Sequence, residues 1–214
     1  MPTRSAEVAA GRFAGWLERF AAGHGGDLAL GTDDATGRPV LRAADGARAL
    51  LDVAFAETTP WPDLGALVTH VETPRPYGLL LLRRGGWAIA RCTGERVHDS
   101  RVGTRYVQGR TKKGGWSQQR YARRRANQAE SVVTALVAAA PEVWAGRPAG
   151  PWPAVTGGDR LLLRTATDAL AGAVPQLRVA ARRLDVPDPR RAVLDVAARA
   201  ACAVRVQVHD EPAA

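Results

Sequence analysis

Two apolar runs, residues 78–82 and 87–92, are separated only by Arg83-Arg84-Gly85-Gly86. Runs of strand length joined by so short a glycine-containing connection satisfy their backbone groups by folding back on each other, so the segment predicts a β-hairpin. Thr93-Gly94 turns the chain again into residues 95–99, and 101–107 alternates in part, extending the hairpin to a meander of three or four antiparallel strands. Beyond a glycine-containing stretch, Ala122, Ala126, Ala129, Val133, Leu136 and Ala140 share one helical face. That spacing predicts a long helix from Ser117, a candidate N-cap, to Pro141, whose missing N–H opposes continuation.

After a Pro/Gly-rich linker over 145–158, the pattern predicts a strand at 160–165, a short helix at 167–174 and a strand at 177–184. A helix at 188–200, entered between Pro187 and Pro189 with Asp188 as its cap, precedes a final strand at 203–209. Strands followed by alternating helices and strands predict an α/β fold, a mixed sheet covered by helices. Near the N-terminus, Phe13, Trp16, Leu17 and Phe20 mark an amphipathic helix from about Ser5 to the glycines at 23–26. Short apolar pieces at 28–30, 39–41 and 50–55 read as strands, and proline clusters at Pro60, Pro62 and Pro74, Pro76 bracket residues 64–71. With 214 residues and 46% hydrophobic content, one large or two small cored domains are expected. Residues 71–214 form the main domain, and 1–70 either stand apart or complete it.

The net charge of +9 is unevenly placed. Residues 101–125 hold Arg101, Arg105, Arg110, Lys112, Lys113, Arg120, Arg123, Arg124 and Arg125 with no Asp or Glu, so this one stretch carries the whole excess. A preference for Arg over Lys reflects composition, but composition does not place the chain's two lysines side by side in an acid-free segment. A localised basic stripe is the electrostatic footprint of a polyanion binder, most often of nucleic acid. Cys92 and Cys202 are too few for a disulfide framework and suit a reducing compartment. No apolar run reaches the ~18 residues of a spanning helix, and no signal-peptide layout is present, which predicts a cytoplasmic protein without a membrane partner.

Familiar catalytic constellations are missing. His24, His70, His98 and His209 are scattered, and neither cysteine has a partner at metal-ligand spacing, so no metal site is expected. Asp33-Asp34 and the pair Asp185, Asp188 are the nearest approach to a two-metal nuclease, but both lie in turn-like or capping sequence far from the stripe. What remains is the segment from Gly109 to Arg125. Gly109, Gly114 and Gly115 permit backbone conformations and close approaches that side chains forbid. Gln118 and Gln119 follow at a helix N-terminus, where unpaired N–H groups favour developing negative charge. A neutral amide is a poor base, but it can orient a water molecule.

The run Gly114-Gly115-x-Ser117-x-x-Arg120-Tyr121-Ala122-Arg123-x-Arg125 resembles the Gly-Gly-Gln loop of eukaryotic and archaeal class-I release factors. It is still more similar to the actinobacterial release-factor-like peptidyl-tRNA hydrolases, related to the catalytic domain of the eukaryotic ribosome-quality-control tRNA hydrolase, whose Gly-rich loop ends in Ser-Gln, here Ser117-Gln118. The match covers about 17 residues and implies an RNase-H-like α/β fold from Gly78 onward. It further implies a peptidyl-tRNA hydrolase of the large-subunit peptidyl-transferase centre, releasing chains from stalled ribosomes, with Gly114, Gly115, Ser117, Gln118 and Gln119 at the reaction. Arg101, Arg105, Arg110, Lys112, Lys113, Arg120, Arg123 and Arg124 then face RNA, and Trp116 either stacks on a nucleobase or packs against the helix. The implied partners are the large subunit, its rRNA and peptidyl-tRNA; no cofactor is called for, and the free protein is expected to be a monomer. One departure stands out: Trp116 occupies the release-factor glutamine's place. Either Gln118 or Gln119 must reach the same point, and Gln118 is favoured because Arg120 and Tyr121 fix the helical register around Gln119. The rival reading is a non-catalytic RNA- or ribosome-binding module; a metal-dependent RNase-H-fold nuclease is the third.

Overall fold

A computed structural model describes residues 3–56, 60–104 and 117–210, with only the helical backbone described over 117–129. The chain divides into two compact units, one of Met1–Pro74 with Arg199–Ala214 and the other of Arg75–Ala198.

The first unit runs β1 (Thr3–Val8), α1 (Phe13–Gly23), β2 (Leu28–Thr32), β3 (Pro39–Ala43), β4 (Arg48–Asp52) and α2 (Leu64–Glu72). The helix expected from about Ser5 begins instead at Phe13, and the residues before it form a strand. The reason is non-local: β1 pairs antiparallel with the last strand, residues 204–209, in the register Thr3↔His209 to Val8↔Val204. That same strand pairs on its other side with β4, so the end of the expected 71–214 segment lies inside the N-terminal unit's sheet. Phe13, Leu17 and Phe20 of α1 are buried with Leu41, Ala49, Leu51, Leu67, Val204 and Val206. Asp63 caps α2 by accepting from the Ala66 amide at 2.7 Å.

The second unit runs β5 (Pro76–Arg83), β6 (Gly86–Thr93), β7 (Arg96–Thr104), α3 (Ser117–Val143), β8 (Trp152–Gly158), α4 (Arg160–Ala173), β9 (Leu177–Leu184) and α5 (Arg191–Cys202), whose end crosses the unit boundary into β10 (Val204–His209). Its sheet has the order β7-β6-β5-β8-β9. The predicted meander is the antiparallel half, and β5, β8 and β9 are parallel. Central β5 is buried along nearly its whole length, on both faces, which is why it reads as the continuous run Leu79-Leu80-Leu81-Leu82 rather than as an alternation. The fold class is therefore mixed α/β, as the element pattern predicts.

Several boundaries differ from expectation. The helix expected at 188–200 begins at Arg191, so Asp188 lies three residues before it and is not its cap. The linker assigned to 145–158 contains β8, and the glycine pair Gly157-Gly158 is the end of that strand rather than a turn. Residues 160–165 are not a strand but the first turns of α4. The triplet Leu161-Leu162-Leu163 suits either state locally, and the helix wins because Asp159 accepts from the Leu161 and Leu162 amides while Leu162, Leu163, Ala166 and Leu170 all face the core. Pro141 lies inside α3, which continues to Val143. Its lost N–H and steric clash with the preceding turn disfavour that helix, but Val143 and Trp144 just beyond are fully packed into the core and hold the last turn in place.

Candidate nucleic-acid interface

Twelve residues, 105–116, join β7 to α3, and both stalks of this connection are fixed to the same sheet. β7 is the edge strand, paired along its length with β6. At its end, Gly103 lies beneath the indole of Trp87, so close that a Cβ there would meet the ring, with Trp87 Cζ2 at 2.8 Å. Gly103→Ala is therefore expected to destabilise the protein by about 1–3 kcal/mol, the range for overpacking, as measured by urea unfolding.

The second stalk, α3, lies over β6 and β7 and against α4. Val132, Val133, Leu136, Ala139, Ala140 and Val143 insert into the core with Leu80, Leu82, Trp87 and Ile89. Just past the helix, Trp144 is completely buried and donates its indole N–H to the Ala90 carbonyl at 2.8 Å. It meets Trp152 edge-on at 6.0 Å between centroids, and Gly78 leaves the space both rings occupy. Some 22 Å of helix, at 1.5 Å per residue, separates Val132 from the start of α3 at Ser117. Gln118 and Gln119 fall in the first turn of α3, whose four leading N–H groups have no partner within the helix.

Of the residues expected to contact RNA, Arg101 is described in full. It stands on β7, half exposed, and donates to Glu142 Oε1 at 2.7 Å, bridging the two stalks. Arg105, Arg110, Lys112, Lys113, Gly114, Gly115 and Trp116 lie outside the described residues, as do the side chains of Ser117, Gln118, Gln119, Arg120, Arg123 and Arg124.

The division into units sharpens the charge pattern. Arg75–Ala198 holds 22 Lys+Arg against 9 Asp+Glu, whereas the other unit holds 8 against 12. The apparent balance outside the basic stripe thus conceals two opposite excesses, and the unit that carries the connection is basic beyond it.

Among the described residues, no group of three or more His, Cys, Asp or Glu is placed to hold a metal ion. Asp33 accepts from the Thr36 amide and hydroxyl, and the hydroxyl contact holds its carboxyl below the ordinary aspartate range. Asp185 pairs with Arg83 at 2.9 Å. His24 binds Asp45 at 2.8 Å, and His70 meets the Ala54 carbonyl at 3.0 Å.

Residues 75–207 match the family model described as Actinobacteria/chloroflexi VLRF1 release factor, starting at the first residue of the basic unit. A comparison with curated proteins found no match.

Proposed function

The chain belongs to the Actinobacteria/chloroflexi VLRF1 release factor family, which supports a release-factor-like, ribosome-associated role, and from that premise we propose that it is a peptidyl-tRNA hydrolase. The observation that carries the reading is the position of the basic, acid-free segment: it spans the one connection between edge strand β7 and the first turn of α3, inside the matched region.

In this mechanism Gln118 holds a water molecule against the ester that links the nascent peptide to the terminal ribose of tRNA. The water oxygen attacks the carbonyl carbon, the bond to the ribose oxygen breaks, one water proton passes to that oxygen to make the ribose hydroxyl, and the other goes to solvent as the peptide leaves with a carboxylate. Backbone N–H groups at the start of α3 face the developing oxyanion. Gly114 and Gly115 let the connection enter a narrow space; Arg105, Arg110, Lys112, Lys113, Arg120, Arg123 and Arg124 meet RNA phosphates, and Trp116 stacks on a base or packs on α3. The reaction takes place on the large subunit of stalled ribosomes in the cytoplasm, requires no cofactor and uses a monomer.

Incubating the full chain with large subunits that carry peptidyl-tRNA tests this directly. Release of the peptide is expected; tight binding with no release selects a non-catalytic ribosome-binding module instead. Lys112→Ser/Lys113→Ser is expected to weaken binding and to lower the slope of log affinity against log salt by about 1.4–1.8, since each phosphate contact contributes roughly 0.7–0.9.

A further inference from the structure

Strand direction determines which residues share an end of the second unit's sheet. β5, β8 and β9 are parallel, and β7 runs in the same sense as β5 because each is antiparallel to β6. Arg83, Thr104, Gly158 and Leu184, which close β5, β7, β8 and β9, therefore lie at one end of the sheet. The basic connection leaves from this same end. Three interstrand steps separate Thr104 from Gly158, or about 14 Å at 4.7–4.9 Å per step.

Three arginines far apart in sequence meet at the turn from β8 into α4. Arg84, with its side chain 75% exposed, places Nε 3.8 Å from Asp159 Oδ2. Arg183 is exposed and donates from Nη1 to the Gly158 carbonyl at 3.3 Å. Arg160, the first residue of α4, is exposed, and Arg164 repeats it one turn later beside Leu161, which is 73% exposed. The acids nearby offset only part of this charge. Asp159 takes the amides it caps on Oδ1 and faces Arg84 with Oδ2, Asp168 follows Arg164 by one turn of α4, Asp185 pairs with Arg83, and Asp188 lies against Gly85 on the β5–β6 turn. Two like charges on one face at the positive end of a helix oppose each other and the helix dipole in the free protein, and an anion relieves both.

We propose that Arg84, Arg160, Arg164 and Arg183 form a second RNA-contact surface, which seats the basic unit on phosphates of large-subunit rRNA beside the entry of the 105–116 connection. The proposal rests on the release-factor reading for the identity of the RNA. Ribosomal RNA is the partner argued for because these arginines stand on the folded sheet and helix, about 14 Å from the strand end at which the connection begins, whereas the proposed function assigns the tRNA ester to the connection itself. Arginine suits the task, since its planar fork binds phosphate oxygens in pairs.

Binding of the full chain to vacant large subunits, measured across a salt series, provides the test. Arg84→Ser/Arg160→Ser/Arg183→Ser is expected to bind at least tenfold more weakly, with the salt slope reduced by about 2–3. Arg84→Ser/Arg160→Ser, which keeps the Arg183 contact to Gly158, guards against a folding defect and is expected to lower the slope by about 1.4–1.8. Wild-type affinity and slope in this double variant, while Lys112→Ser/Lys113→Ser still weakens binding, overturn the surface and leave the release-factor reading intact. Wild type that neither binds subunits nor releases peptide overturns the reading itself. A loss seen with deacylated tRNA but not with vacant subunits overturns the assignment to rRNA.

Discussion

Gln118→Ala is expected to lower single-turnover peptide release from large-subunit peptidyl-tRNA by at least 100-fold, with binding to the subunit little changed. A side chain that only orients the attacking water acts mainly in the transition state, and removing one such positioning or oxyanion-stabilising group typically reduces turnover by about 10²–10³. Gln119→Ala is expected to fall by less than tenfold. Both residues lie in the first turn of α3, and consecutive positions of an α-helix are about 100° apart around its axis, so the two positions are not equivalent. Equal losses in both variants, or undiminished release in both, would sink the assignment to Gln118. A large loss in Gln119→Ala alone moves the role one residue on. Because Trp116 stands where the release-factor glutamine is expected, this pair of variants also measures how the loop compensates for that departure.

Trp144→Ala is the second large expected effect, and it acts through the scaffold. The indole is fully buried, touches Trp152 and donates to the Ala90 carbonyl, so truncation removes packing and leaves that acceptor short of a partner. A loss of about 3–5 kcal/mol follows from large-to-small core changes, read as a fall in Tm of roughly 10 °C. Under the proposed function, release activity is expected to fall with it, because Trp144 ties the end of α3 to β6 and α3 is one stalk of the basic connection. Trp144→Phe keeps an aromatic ring in the site but loses the hydrogen bond and part of the packing, and is expected to cost less than Trp144→Ala. If Trp144→Ala melts like wild type, α3 is anchored elsewhere.

Much of the basic unit was legible because its signals are local. The hairpins about Arg83-Arg84-Gly85-Gly86 and Thr93-Gly94, the apolar face of α3 and the acid-free stripe each occupy one continuous stretch. Local ambiguity explains the misplaced strand at 160–165: three leucines fit a strand or a buried helix face, and only the Asp159 cap together with the packing of Leu162 and Leu163 decides between them. The missed strand β1 has the opposite cause. Residues 3–8 become a strand by pairing with 204–209, a partner about 200 residues away that no window can contain. The Arg84, Arg160 and Arg183 cluster was invisible for the same reason, since strand order alone brings those positions together.

By itself, then, the sequence determined the meander, the long helix, and the location of a basic, glycine-bearing segment between them, because period, turn chemistry and charge are properties of neighbouring residues. Tertiary structure alone decided that the last strand closes the N-terminal sheet, that the charge separates into a basic and an acidic unit, and that the basic segment leaves the same sheet end as an arginine-lined turn. Those are outcomes of strand pairing and parallel register, which depend on hydrogen bonds between distant parts of the chain.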